Sequence, residues 1–273
     1  MDKESFIIDA FMNDINGDDA AIIGKWCYSK DLFFEDVHFK RSWLSLEQIA
    51  RKAMIVNISD AIVMNAIPKY ALLGLALPKD ISKDEIKKLQ NGFLKTAKEY
   101  NIKIIGGDTI SCEKINISIT IISKLRKKPI YRTGLKEGDL LAFTGDLGSS
   151  LNTLNILQNG GKISKNNKFT NPILRQKFFY KIASKINCAM DISDGLNKDL
   201  SRMLNINNLS IKWLLDLSQK ELDSGEEYEI LFAFDPQNLS YIEKEAKKQN
   251  IKLNIFAKAT KGKYVFTGTE HHF

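Results

Sequence analysis

Aspartate stands at the mouth of one apolar run after another in this chain, and that placement limits what it can fold into more than any other feature. Asp18 and Asp19 precede Ala-Ala-Ile-Ile, Asp31 lies inside a strand-like run, Asp60 closes Val-Asn-Ile-Ser, and Asp108 follows Ile-Ile-Gly-Gly. Further on, Asp146 follows Phe-Thr-Gly, and Asp191 and Asp194 frame Met-Asp-Ile-Ser-Asp-Gly. Aspartate is a poor strand residue, and an unpaired buried carboxylate is not tolerated. Any one of these residues reads equally as a turn former or a helix cap, Asp146 being placed to cap the helix after Gly148. A whole series, several beside glycine, reads as a cluster that positive charge must neutralise. Carboxylates without histidine or cysteine partners suit hard cations, Mg2+ above all, which bridge protein oxygens and substrate phosphates. Gly106-Gly107-Asp108-Thr109 and Gly145-Asp146-Leu147-Gly148 add backbone N–H groups open to an anion at a strand end or helix start.

The rest of the sequence sets the frame around these acids. At 273 residues the chain exceeds one common domain, so two are expected. Ser45-Leu46-Glu47-Gln48 and Ser82-Lys83-Asp84-Glu85 are capping boxes, opening helices that run to about Ala66 and Tyr100. With a first helix over 3–14 and strands at 20–23, 26–34, 70–77, 102–105 and 115–123, the first half reads ββ-α-β-α-ββ. The polar stretch Arg126–Gly138 separates two units, residues 1–128 and 129–273. The second unit alternates strands at 140–144, 188–192, 229–234, 253–257 and 264–267 with helices after Gly148, from Pro172 to Ile186, after Gly195 and over 239–249. The fold class is therefore α+β, or mixed α/β, in two domains.

Forty Lys+Arg against 33 Asp+Glu leave a formal charge of +7, spread over helix faces and loops without the interleaved aromatics of a stacking platform, so no nucleic-acid partner is expected. No run nears the ~18 apolar residues of a membrane span, and the opening Met-Asp-Lys-Glu-Ser has no signal-type apolar core. Cys27, Cys112 and Cys188 are far apart and form no CxxC, which argues against zinc or a disulfide scaffold and fits a cytoplasmic setting. There is no GxxxxGK[ST], no GxGxxG opening a βαβ unit and no protein-kinase signature. The residues by themselves point to Mg2+-phosphate chemistry on a scaffold outside those classes.

Taken in order, the segments GDDAA (17–21), DLFFEDVHF (31–39), VNISD (56–60) with Met64-Asn65-Ala66, GGDT (106–109), Arg132-Thr133-Gly134, LKEGD (135–139), TGDLG (144–148), AMDISDGLNKD (189–199) and SGEEYEI (224–230) resemble the thiamine-monophosphate kinase family. Its superfamily includes aminoimidazole-ribonucleotide synthetase and selenophosphate synthetase. The resemblance implies the two-domain aminoimidazole-ribonucleotide-synthetase-like fold, with an N-terminal ATP- and Mg2+-binding domain pairing in a homodimer. It implies transfer of the ATP γ-phosphate to thiamine monophosphate, with several Mg2+ ions and no general base. By that pattern Asp19, Ser29, Lys30, Asp31, Asp60, Asp108, Asp191 and Asp194 hold metal, Gly107, Asp108, Arg132 and Ser193 contact ATP, and His38 and Glu226 contact the substrate. Phe266 is the best substitute for an aromatic that the family carries near the C-terminus. Lys30 stands where the family has a small hydroxyl residue, so a contact there uses only its carbonyl. The alternatives are another ATP-using member of the superfamily, of the purine-pathway synthetase type, and a non-catalytic nucleotide- or nucleic-acid-binding protein. Residues 1–16 lack the cysteine that selenophosphate synthesis needs, and the His-His-Phe ending lacks the modifiable cysteine of the hydrogenase-maturation relatives.

Overall fold

The computed structural model describes residues 3–164 and 167–266. A short helix α1 (Lys3–Asp9) precedes β1 (Ala21–Ile23), β2 (Trp26–Phe34), α2 (Leu46–Val63), β3 (Ala66–Pro78), α3 (Lys83–Glu99), β4 (Lys103–Cys112) and β5 (Asn116–Leu125). The order matches the ββ-α-β-α-ββ expectation. These strands form one sheet, β1-β2-β5-β3-β4, antiparallel except for β3 and β4, which need the α3 crossover because parallel neighbours cannot be joined by a hairpin.

Alternation gives that sheet two unlike faces. Ile117, Ile119 and Ile121 of β5 are buried on the inner face, while Ser118 and Thr120 lie on the outer one. Helices α2 and α3 cover the inner face. Each opens on its capping box: the Ser45 hydroxyl accepts from Gln48 N–H at 3.3 Å and the Gln48 side chain accepts from Ser45 N–H at 3.0 Å, and Ser82 and Glu85 repeat the pattern. Gly92 lets the helices touch, since a Cβ there would lie 2.4 Å from the Glu47 carbonyl oxygen. Helix α2 ends at Val63 rather than near Ala66, because Asn65 takes a left-handed φ of 59° and turns the chain straight into β3. Buried side chains occur all round α2, Lys52 and Asn57 among them. Its far side meets the second half of the chain.

That half contains β6 (Leu140–Thr144), α4 (Ser149–Gln158), α5 (Gln176–Ile182), β7 (Cys188–Asp191), α6 (Leu196–Ile206), β8 (Leu209–Trp213), α7 (Gln219–Asp223), β9 (Ile230–Phe234), α8 (Leu239–Lys248) and β10 (Leu253–Lys261). Its sheet is ordered β7-β9-β6-β10-β8 with antiparallel neighbours. Strand β8 and helix α7 are additions to the sequence reading. The helix expected from Pro172 starts only at Gln176, because residues 172–175 run irregularly and carry Arg175 to Glu229. Asp146 does not cap α4: the cap position is Gly148, at φ 88°, and Asp146 pairs with Lys252 instead. The last expected strand does not form over 264–266, since β10 already extends to Lys261; Thr267 and the rest of the tail lie outside the described residues.

One apolar core runs from Phe33, Ile49 and Ile119 through Phe178 and Phe179 of α5 to Ile230, Phe232 and Phe234 of β9. A second fills the other face of the second sheet with Leu141, Phe143, Met190, Leu200 and Phe256. The acids lie where α2 meets the second half.

Candidate functional site

Three elements bring three carboxylates to one point. Asp19 comes from the turn before β1, Asp60 from the last turn of α2 and Asp191 from the end of β7, and each offers an oxygen within 4.8 Å of the others. One oxygen of Asp19 and one of Asp191 are buried without any hydrogen-bond partner. Orphaned buried acceptors are rare in native proteins, so these two point to a ligand that completes them. Asp31 adds a fourth acid through a side-chain hydrogen bond with Asp60, and Ser59 donates to Asp191.

Electrostatics shows how far the group is from balance by itself. Burial, then Asp31, Asp191 and Asp19, push the Asp60 carboxyl well above the ordinary carboxylate range. Burial, then Asp19, do the same to Asp191, and burial raises Asp31 to about 6. Arg132 is the protein cation at the centre: its guanidinium donates to Asp19 at 2.5 and 3.3 Å, and its backbone N–H donates to Asp18 at 2.9 Å. One guanidinium against four acids leaves the cluster short of positive charge. An all-carboxylate set with unfilled oxygens fits a hard divalent cation.

The other expected residues are distributed unevenly about this point. The Ser29 hydroxyl donates to the Asn57 carbonyl at 3.0 Å and meets the Asn57 side chain at 2.5 Å. Lys30 is exposed and its ammonium bonds Ser118 on the outer face, while its charge still helps hold the Asp31 carboxyl down against burial. Asp108 does not join the triad. Register sets it level with Gly74, Ser118 and Leu32, on the outer row of the sheet, whereas Asp31 is level with Ile119, Leu73 and Gly107. Gly107 is required where it stands: at φ 149°, a Cβ would fall 1.8 Å from the Leu73 carbonyl oxygen. Asp194 is paired with Arg202 at 2.5 Å and Lys198 at 3.6 Å. Asp199, read from sequence as structural, accepts from the N–H groups of Ser193 and Asp194 at 3.1 Å each. The His38 Nδ1 accepts from Phe34 N–H at 3.0 Å, which puts the ring proton on Nε2. Glu226 accepts from the Lys52 ammonium at 2.9 Å. Phe266 follows β10, half-buried.

A second charged group escaped the sequence reading. Glu227 and Glu229 are buried; Lys168 reaches them at 2.6 and 3.1 Å, and Arg175 clasps Glu229 at 2.9 and 3.0 Å. Alternating acids in Ser-Gly-Glu-Glu-Tyr-Glu were the available signal, but adjacent glutamates look like a solvated turn unless the distant cations are known. Asp18 is likewise more than a turn residue, since it anchors Arg132.

Comparison with known proteins gives this arrangement a class. Residues 17–124 match the family model described as AIR synthase related protein, N-terminal domain, so this part of the chain carries a domain of the AIR-synthase-related class. Within it, the chain belongs to the thiamine-monophosphate kinase family. It is 34% identical to the thiamine-monophosphate kinase of Leptospira interrogans, over 75% of this chain and 73% of that one. It is 31% identical to that of Pyrococcus abyssi, over 88% and 85%. Among solved structures, "AaThiL complexed with AMPPCP and TMP" superposes with a TM-score of 0.86 at 25% identity, covering 98% of this chain and 94% of that chain. A HypE–HypF complex shares the fold, with a TM-score of 0.80 at 17% identity and coverage of 95% and 93%.

Proposed function

We infer that this protein is an ATP-dependent thiamine-monophosphate kinase, transferring the γ-phosphoryl group of ATP to the phosphate of thiamine monophosphate to give thiamine diphosphate and ADP. The observation that carries the reading is the near full-length likeness to a structure named as holding AMPPCP and TMP, in a chain whose acids converge on one buried, incompletely paired point.

Asp19, Asp60 and Asp191, with Asp31 behind them, would hold Mg2+. When bound, the ions would offset the mutual repulsion of two phosphate-bearing substrates. Arg132 offers a planar donor fork that can pass from Asp19 to a phosphate oxygen. In the transfer, the bond from the γ-phosphorus to the β-bridging oxygen breaks, and one forms to an acceptor phosphate oxygen. That oxygen is already a competent nucleophile, so no side chain need remove a proton. Ser193 and Gly107 are the proposed ATP contacts, and His38, Glu226 and Phe266 the proposed acceptor contacts. Lys30 can enter only by its carbonyl, and Ser29 and Asp194 would do so by releasing Asn57 and Arg202.

The same reading takes residues 1–128 as the ATP- and Mg2+-binding and dimerising unit, 129–273 as the second domain, and the cytoplasm as the setting. Leu32, Tyr70, Leu72 and Ile105 lie exposed on the first sheet, a face suited to a second copy. Asp108 stands on that same face, where it could serve the site of the other copy. Among the described residues no helix is long and apolar enough to cross a membrane.

The test is ADP release from Mg-ATP with thiamine monophosphate, aminoimidazole precursors and selenide offered in parallel. Turnover with thiamine monophosphate alone is expected; turnover only with another acceptor overturns the assignment.

A further inference from the structure

Lys52 is completely buried on α2, yet nothing in the phosphoryl-transfer chemistry above uses it. Its ammonium lies 2.9 Å from Glu226 and 3.7 Å from the centre of the Phe169 ring. Glu226 is its one carboxylate partner among the described residues. Stability alone does not call for such a lysine: a buried ion pair is often replaceable by apolar residues at no loss. Position explains it better.

Lys52 and Ser59 are seven residues apart on one helix, two turns, and so share a face about 10 Å from end to end. Both reach across to the second half of the chain, Ser59 to Asp191 and Lys52 to Glu226. Glu226 is also gripped through its backbone, which takes φ 54°. Its N–H donates to the Ser193 carbonyl at 2.7 Å, and its carbonyl accepts from the Ser150 hydroxyl at 3.0 Å. With the backbone held and one carboxylate oxygen on Lys52, the direction of the side chain is set, while about a quarter of it (26%) stays open to solvent. A carboxylate held about a quarter open, on a backbone tied to Ser193 two residues beyond Asp191, suits the cationic, amino-bearing end of an acceptor whose phosphate end lies at the acids.

We propose that Lys52, seated on Phe169, is a positioning residue for the acceptor: it aims Glu226 so that the open side of the carboxylate receives the cationic ring system while the acceptor phosphate lies at Asp19, Asp60 and Asp191. This rests on the kinase reading and names the part of the site that selects the acceptor over ATP. The full-length protein with K52M, E226Q and the double substitution tests it, by steady-state kinetics with each substrate varied and by inhibition with thiamine, which carries the ring system without phosphate. Each single variant is expected to raise the KM for thiamine monophosphate and the inhibition constant for thiamine about tenfold or more, leave the KM for ATP within about twofold, and combine without further loss in the double variant. An unchanged acceptor KM in a folded K52M, or an equal rise in both KM values, overturns the proposal. If K52M does not fold, E226Q decides, since unchanged thiamine inhibition there overturns it as well. Wild-type protein inert toward thiamine monophosphate would instead sink the kinase reading itself.

Discussion

Replacing Asp31 by Asn should stabilise the metal-free protein while destroying its activity. Burial raises the Asp31 carboxyl from 3.8 to about 6. A raised folded-state value means that the folded chain holds the proton more tightly than the unfolded one. The associated stability is complete below pH 3.8 and is lost as pH climbs through 6, a difference of about 3 kcal/mol at 1.36 kcal/mol per pH unit. Asparagine does not titrate and can keep a hydrogen bond to Asp60. D31N and wild type should therefore melt together near pH 4, and by pH 7.5 without divalent cations D31N should melt about 6–12 °C higher, at about 2–4 °C per kcal/mol. Millimolar Mg2+ should close the gap by stabilising wild type far more than D31N, while turnover of D31N falls more than about a hundredfold. Melting by circular dichroism at several pH values, with MgCl2 or EDTA, reads all of this. A D31N protein less stable than wild type at pH 7.5 in EDTA, or a gap independent of pH, would refute the view that burial makes this carboxylate costly until a cation arrives.

Asp60→Asn and Asp108→Asn should each nearly abolish ADP release with little change in circular dichroism, and retained activity in both would sink the assignment of these acids. If Asp108 serves a second copy's site, mixing the two inactive variants under conditions that re-pair subunits should restore part of the activity; no recovery would assign Asp108 to its own chain. If the exposed sheet face pairs two copies, wild type should scatter as a dimer and Leu72→Glu, which puts a charge on that face, should halve the mass; a monomeric wild type or an unchanged dimer would refute that pairing. Gly107→Ala should cost more than about 3 kcal/mol in chemical denaturation, because the new Cβ would overlap the Leu73 carbonyl.

Where chemistry is local, sequence reasoning went furthest. The boxes at Ser45 and Ser82 open α2 and α3 as expected, because the pattern itself makes the bonds. The acids at strand ends pointed to a cation site, and Asp19, Asp60 and Asp191 do converge. Convergence of all the expected acids in one chain was beyond reach of a linear reading. A single step along a strand reverses the face, so whether Asp108 joins Asp31 depends on the β3–β4 register and on the irregularity between Ala71 and Leu72. The Lys52–Glu226 contact links residues 174 positions apart, and no local pattern announces it. The short helix α7 was missed although Ser218 and Glu221 spell the same box, because five residues are too few for a visible period.

The triad draws on Asp19 near the start of the chain and Asp191 in its last third. A polypeptide leaving the ribosome therefore has no complete cation site until more than two thirds of it is made. Until then the first sheet can already pair β2 with β5 and bring Asp31 against Asp60, so part of the repulsion is built before β7 exists. Docking of β7 adds Asp191 to acids that already repel one another, so the step that completes the proposed cation site is the one at which a divalent cation would matter most.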